Sequence, residues 1–145
     1  MICTFFGHRD APETIKNSLK SAIISLIEEQ GVRRFYVGNN GSFDFLTQRI
    51  LEEISKEESS FEFAIVLSSP SEKVTWCRQE QTLFPEGLEF SLPRFAISKR
   101  NDWLIKNSDF VIAYVKHSHS NAYRWVKKAE RRGLKVISIS DSKKQ

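Results

Sequence analysis

The chain has 145 residues, 40% apolar and 28% charged, with 22 Lys and Arg against 18 Asp and Glu. This balance predicts one soluble globular domain, long enough to bury a core. The longest clean apolar stretch, residues 22–27 with Ser25 inside it, is far too short to span a bilayer, which argues against a membrane protein.

In chain order, residues 2–6 form a short apolar run that reads as a first strand, ending at Gly7-His8-Arg9-Asp10. No basic region or cleavage site precedes it, so no signal peptide is expected. A helix follows with Ile15, Leu19, Ala22, Ile23, Leu26 and Ile27 on one face, near the 3.6-residue period. Asp10 and Glu13 fit a capping-box start, Pro12 the first turn and Gly31 the stop. Residues 34–37 read as the second strand, and Phe43, Leu46, Ile50 and Ile54 as the buried face of the next helix. Residues 61–67 read as the third strand.

Residues 68–93 break this rhythm with little periodicity and a Phe84-Pro85-Glu86-Gly87 turn, as an irregular insertion, lid or interface would. A helix over about 94–106 follows, with Phe95, Ala96, Trp103 and Leu104 as expected buried positions. Residues 109–115 form a nearly continuous apolar run, as in a central strand covered on both faces. A last helix over about 122–132 ends at Gly133, residues 135–139 form the final strand, and 143–145 read as a frayed tail. Trp76, Trp103 and Trp125 read as packing residues.

This alternation implies an α/β fold: a Rossmann-like three-layer sandwich with a five-stranded, mainly parallel sheet in the order 3-2-1-4-5 and helices on both faces. In that order the chain reverses direction between the first and fourth strands. Ligands of open α/β sheets bind at such a switch point, outside the carboxyl ends of the strands.

Three loops and one helix meet that expected edge. Gly38, Asn39, Asn40, Gly41 and Ser42 join the second strand to a helix start carrying Asp44. Glycines permit close approach, and the first N–H groups of a helix lack intrahelical partners, so the junction reads as an anion cradle with Ser42 available to cap. Gly7, His8, Arg9 and Asp10 follow the first strand, where Arg9 suits bidentate phosphate contact or pairs with Asp10. Arg100 lies on the helix before the fourth strand, beside Lys99, which is expected to face solvent. His117, Ser118, Ser120 and Asn121 follow the fourth strand and suit a phosphate or ribose contact.

No metal set or cofactor motif is read, since His117 and His119 lack further ligands. Cys3 and Cys77 lack metal spacing and are too few for a disulfide framework, which places the chain in a reducing cytoplasm. Residues 1–72 carry 7 basic against 11 acidic groups, and residues 73–145 carry 15 against 7. The basic half attracts phosphorylated ligands or nucleic acid, or is a solvated helix face through Arg124, Lys127, Lys128, Arg131 and Arg132.

The order of these motifs resembles the SLOG superfamily, named after the DNA-processing A (Smf) proteins and the LOG (Lonely Guy) enzymes. Residues 3–9, Cys-Thr-Phe-Phe-Gly-His-Arg, are similar to the opening of a small bacterial branch. Residues 35–44, Phe-Tyr-Val-Gly-Asn-Asn-Gly-Ser-Phe-Asp, resemble its second-strand motif, and residues 84–89 and 97–101 match two further segments. The resemblance covers nearly the whole chain and implies that Arg100 and Asn101 belong to the site. LOG-type phosphoribohydrolases carry Pro-Gly-Gly-x-Gly-Thr after the fourth strand and a glutamate soon after. Here residues 117–121 contain no glycine, and the next carboxylate is Glu130.

The resemblance therefore implies a domain that binds a nucleotide- or ADP-ribose-type ligand, to sense or sequester it, without a cofactor. One alternative is a LOG-like nucleoside-monophosphate phosphoribohydrolase, with Asp44, Asp10 or His8 replacing the glutamate. Another is single-stranded DNA binding as in the DNA-processing A proteins. Homodimers or higher homo-oligomers are expected by the same resemblance.

Overall fold

In the computed structural model, residues 1–74 and 81–141 are described; Trp76, Cys77 and the 143–145 tail lie outside them. Six strands, β1 (Ile2–Gly7), β2 (Arg34–Val37), β3 (Glu62–Val66), β4 (Thr82–Leu83), β5 (Phe110–Tyr114) and β6 (Lys135–Ser138), form one sheet. Its order is β4-β3-β2-β1-β5-β6, and every pairing is parallel. Four α-helices connect them: α1 (Lys16–Gln30), α2 (Ser42–Ser55), α3 (Ala96–Lys106) and α4 (Asn121–Arg131).

Parallel neighbours need crossovers, and right-handed crossovers fix which face each helix covers. The chain first moves outward from β1 through α1 and α2, then returns to the other side of β1 through α3 and α4. The two helix pairs therefore cover opposite faces. Strand alternation matches this arrangement. Cys3, Phe5, Phe35, Val37, Ile65 and Ile112 pack with Leu19, Ile23, Leu46 and Ile50 of α1 and α2. Phe6, Tyr36, Val66, Val111 and Ala113 pack with Leu104, Ile105, Val126 and Ala129 of α3 and α4.

The sheet has six strands where the sequence predicts five. The extra strand, β4, comes from the segment read as an irregular insertion. It is two residues long, too short to show any period. It pairs Ile65 with Thr82 and Val66 with Leu83, and the Leu67 N–H donates to the Leu83 carbonyl at 2.8 Å.

Three local expectations also change. No capping box opens α1: a 3-10 turn, Glu13–Ile15, precedes it, with Pro12 at the cap and no side-chain cap bond. Gly41, not Ser42, caps α2. Helix α3 begins at Ala96 after a 3-10 turn over Pro93–Phe95, which leaves Phe95 44% exposed; of the other expected core positions, Leu104 is buried. Among the described residues, no helix is long and apolar enough to cross a membrane.

Candidate ligand-binding site

The carboxyl ends of β1, β2 and β3 meet the start of α2 and the middle of α3, and three glycines permit the approach. A Cβ on Gly7 would lie 2.5 Å from the Phe43 ring, so α2 can close on β1 only over a bare backbone. A Cβ on Gly38 would lie 2.6 Å from Asp44 Oδ2 and 3.1 Å from Arg100 Cζ. Gly41 takes φ +97°, in the left-handed region, and a Cβ there would lie 2.9 Å from Arg9 Cα.

The polar groups of this junction are largely engaged within the protein. The Gln48 amide donates to the Gly38 carbonyl at 2.8 Å and to Asn39 Oδ1 at 2.9 Å. The Asn40 N–H donates to Asp44 Oδ2 at 2.9 Å, and the Ser42 N–H to the Arg9 carbonyl at 2.7 Å. Asp44, in the first turn of α2, thus already places a carboxylate at the positive end of the helix. The sequence reads this junction as an anion cradle, and the fold supplies an anion from the chain itself.

Arg100 is only 3% exposed. Its Nη1 donates to the Val66 carbonyl at 3.2 Å and its Nε to Asn101 Oδ1 at 3.0 Å. Burial pushes the Asp44 carboxyl up to about 6, against the opposing pull of Arg100 and of the Asn40 N–H. Burial also draws the Arg100 guanidinium down, and the nearby Asp44 charge resists. Asn40 Oδ1 is buried and has no hydrogen-bond partner among the described residues, a costly condition for an amide oxygen.

His8 ties the loop after β1 to the loop after β5. Its Nε2 accepts the Lys116 N–H at 2.7 Å, and its ring lies edge-on to Tyr114 and 5.3 Å from His117. Burial and the neighbouring His117 lower its basicity. Ser120 caps α4, accepting the Tyr123 N–H at 3.1 Å.

A cavity of about 790 Å³ opens between this edge and helices α3 and α4, within the range typical of small-molecule sites, about 300–1,000 Å³. Among the residues singled out from sequence, Gly7, His8, Arg9, Asp10, Gly38, Asn40, Asp44, Arg100, Asn101, Ser120 and Asn121 line it. Asn39, Gly41, Ser42, His117 and Ser118 do not: Asn39 bonds Gln48, Gly41 and Ser42 pack on Arg9, and His117 rests against His8.

The sequence reading missed part of the wall. Arg94, Ile97, Ser98 and Leu104 reach it from the α3 side, and Arg124, Trp125, Lys128 and Arg131 from α4. The signal was present, because 124, 128 and 131 stand at i, i+4 and i+7 and share one helix face. A solvated basic face and a cavity wall look alike until the partner surface is known. Lys128 pairs with Asp102 at 2.5 Å, whereas Arg9, Arg94, Arg124 and Arg131 have no ion-pair partner among the described residues. Arg94 lies over the Phe95 ring at 4.9 Å, and Arg124 donates to Asn121 Oδ1. Among the described residues, the carboxylates on the wall are Asp10 and Asp44. Among the described residues, no three His, Cys, Asp or Glu side chains gather in a metal-holding group.

The chain is similar in structure to DNA processing protein A (DprA) from Streptococcus pneumoniae, with a TM-score of 0.66 and 13% identity. The match covers 94% of this chain and 49% of that one. The chain thus has a DprA-like, Rossmann-type α/β fold and spans about half the length of its neighbour. No protein-family model and no curated protein matches the sequence.

Proposed function

We propose that the protein binds a nucleotide- or ADP-ribose-type ligand in the cavity between the β1–β2 edge and helices α3 and α4, as a sensing or sequestering domain. The observation that carries this reading is the set of four arginines, Arg9, Arg94, Arg124 and Arg131, that line one cavity without an ion-pair partner among the described residues. Unneutralised guanidiniums around a concave wall concentrate positive potential and match phosphate oxygens. The cavity lies beside the β1–β5 switch point, where open α/β sheets take their ligands. Thermal unfolding with a panel of nucleoside mono- and diphosphates, NAD and ADP-ribose tests the proposal. Binding to the folded state raises the midpoint as RT ln(1 + [L]/Kd). No shift with any member at millimolar concentration would sink it.

Asp44 supports a second reading, hydrolysis of an N-glycosidic bond. A carboxyl with a pKa of about 6 in a cavity is poised to exchange a proton near neutral pH. Chromatography for free base after incubation with AMP or NAD tests it, and release that persists in Asp44→Asn would remove Asp44 from the role. The structural neighbour is named for DNA processing, so salt-dependent binding of single-stranded oligonucleotides is the remaining comparison.

A further inference from the structure

The two ends of the cavity wall differ in chemistry: acceptors stand at one and are lacking from the basic stripe at the other. At the β2–α2 end Asp44 and Asn40 add acceptors, carboxylate oxygens and a buried amide Oδ1 that no donor among the described residues meets, beside the guanidiniums of Arg9 and Arg100. At the α3–α4 end stand Arg94, Arg124 and Arg131, which offer only donors and positive charge, and Lys128, which is paired with Asp102. The α4 stripe, i, i+4 and i+7, extends along about 10 Å of helix at 1.5 Å per residue. That is more than a single phosphate occupies, and it suits two or more linked phosphates. The glycine junction is ill suited to a phosphate, because its Asn40 and Ser42 N–H groups are taken and Asp44 already answers the Arg100 guanidinium there. Hydroxyl groups fit there instead, since they donate to a carboxylate and to an orphan amide oxygen.

We infer that the ligand is a ribonucleoside polyphosphate bound with its ribose hydroxyls at Asn40 and Asp44 and its phosphate chain along Arg124, Lys128 and Arg131. The inference rests on the nucleotide-binding reading above and adds the ligand's class and direction. It places phosphate on the basic face of α4 and sugar at the Gly38–Asp44 junction. It predicts that a diphosphate binds more tightly than a monophosphate, and a ribose more tightly than its 2′,3′-dideoxy form.

Calorimetric titration with AMP, ADP and 2′,3′-dideoxy-ADP, and with their guanine, cytosine and uracil counterparts, tests both ends. For the base that binds, each comparison should differ by about tenfold, the scale of one charge-assisted hydrogen bond. In Arg131→Gln, at an exposed residue with no ion-pair partner among the described residues, the diphosphate advantage should shrink and the ribose advantage remain. In Asn40→Ala, which keeps the backbone N–H that holds Asp44, the ribose advantage should vanish and the diphosphate advantage remain. The opposite assignment of the two effects would overturn the direction. Equal binding of AMP, ADP and the dideoxy form would overturn the ligand class and leave nucleotide binding standing. No binding by any nucleotide would remove both. Circular dichroism of each variant, compared with the parent, separates lost contacts from lost folding.

Discussion

Asp44 Oδ2 and the Arg100 guanidinium converge on the same side of Gly38, so closely that a methyl group on that residue would stand 2.6 Å from one and 3.1 Å from the other. Each is anchored by backbone: Asp44 by the Asn40 N–H, Arg100 by the Val66 carbonyl. The two side chains come from α2 and α3, and their anchors from the β2–α2 loop and the end of β3. A pair of opposite charges is thereby held at the cavity wall by four separate elements, and its geometry depends on one missing side chain.

Gly38→Ala should therefore act on both partners at once. Neither can retreat without breaking a backbone hydrogen bond, so we expect a loss of about 1–3 kcal/mol, the usual cost of overpacking. Urea denaturation measures it. A change within experimental error would mean that the wall is looser than these contacts imply.

Two glycines with similar backbone angles should respond differently. Gly41 has φ +97° and Gly133 has φ +91°, but only Gly41 faces a neighbouring backbone, Arg9 Cα at 2.9 Å. Gly133→Ala should cost about 1–2 kcal/mol, the left-handed penalty alone. Gly41→Ala adds a contact that no rotamer change relieves and should cost measurably more. Equal denaturation midpoints for the two variants would contradict the close approach.

The Asp44 carboxyl should make the protein more stable as pH falls toward 4. Its pKa is about 6 in the folded chain and about 3.9 in an unfolded one. Folding therefore takes up a proton between these values. The favourable contribution is greatest below about pH 4 and is lost as pH rises through about 6, by about 3 kcal/mol. Asp44→Asn keeps an oxygen for the Asn40 N–H and removes the titration. The informative quantity is the slope of stability between pH 4 and 7, which should differ between parent and variant in this sense. Identical slopes would place Asp44 in water.

How much of this was legible in the sequence follows from what each feature depends on. The order of the five longer strands rests on alternation and crossover rules that operate within a segment, and those patterns survive in residues 2–7, 34–37 and 110–114. Strand β4 rests on two residues held by a neighbour and leaves no periodic trace. The same division runs through the candidate site. Glycines flanked by strand and helix patterns pointed to the β2–α2 junction. Whether its N–H groups were free depended on Asp44 and on the Arg9 carbonyl, which only the folded chain brings there. Likewise the α4 stripe was visible as periodicity, but its cavity was not, because α3 and α4 meet only in three dimensions.

His8 should contribute a pH dependence of the opposite sign to Asp44. Its Nε2 accepts the Lys116 N–H at 2.7 Å, and an imidazolium has no lone pair with which to do so. Burial, reinforced by His117, lowers its pKa from the ordinary 6.5. The folded state thus binds fewer protons than the unfolded one. The stability it contributes is complete above about pH 6.5 and is lost as pH falls through the folded value. His8→Gln removes the titration and leaves an amide oxygen able to accept. Its stability should therefore fall less steeply below pH 6.5 than the parent's. The tautomer offers a direct check, since an accepting Nε2 requires the proton on Nδ1. Long-range nitrogen–proton correlation at pH 7.5 should show His8 neutral with Nδ1 protonated. A proton on Nε2 would mean that His8 does not tie the β1 connection to Lys116, and the wall of the cavity at that point would need another support.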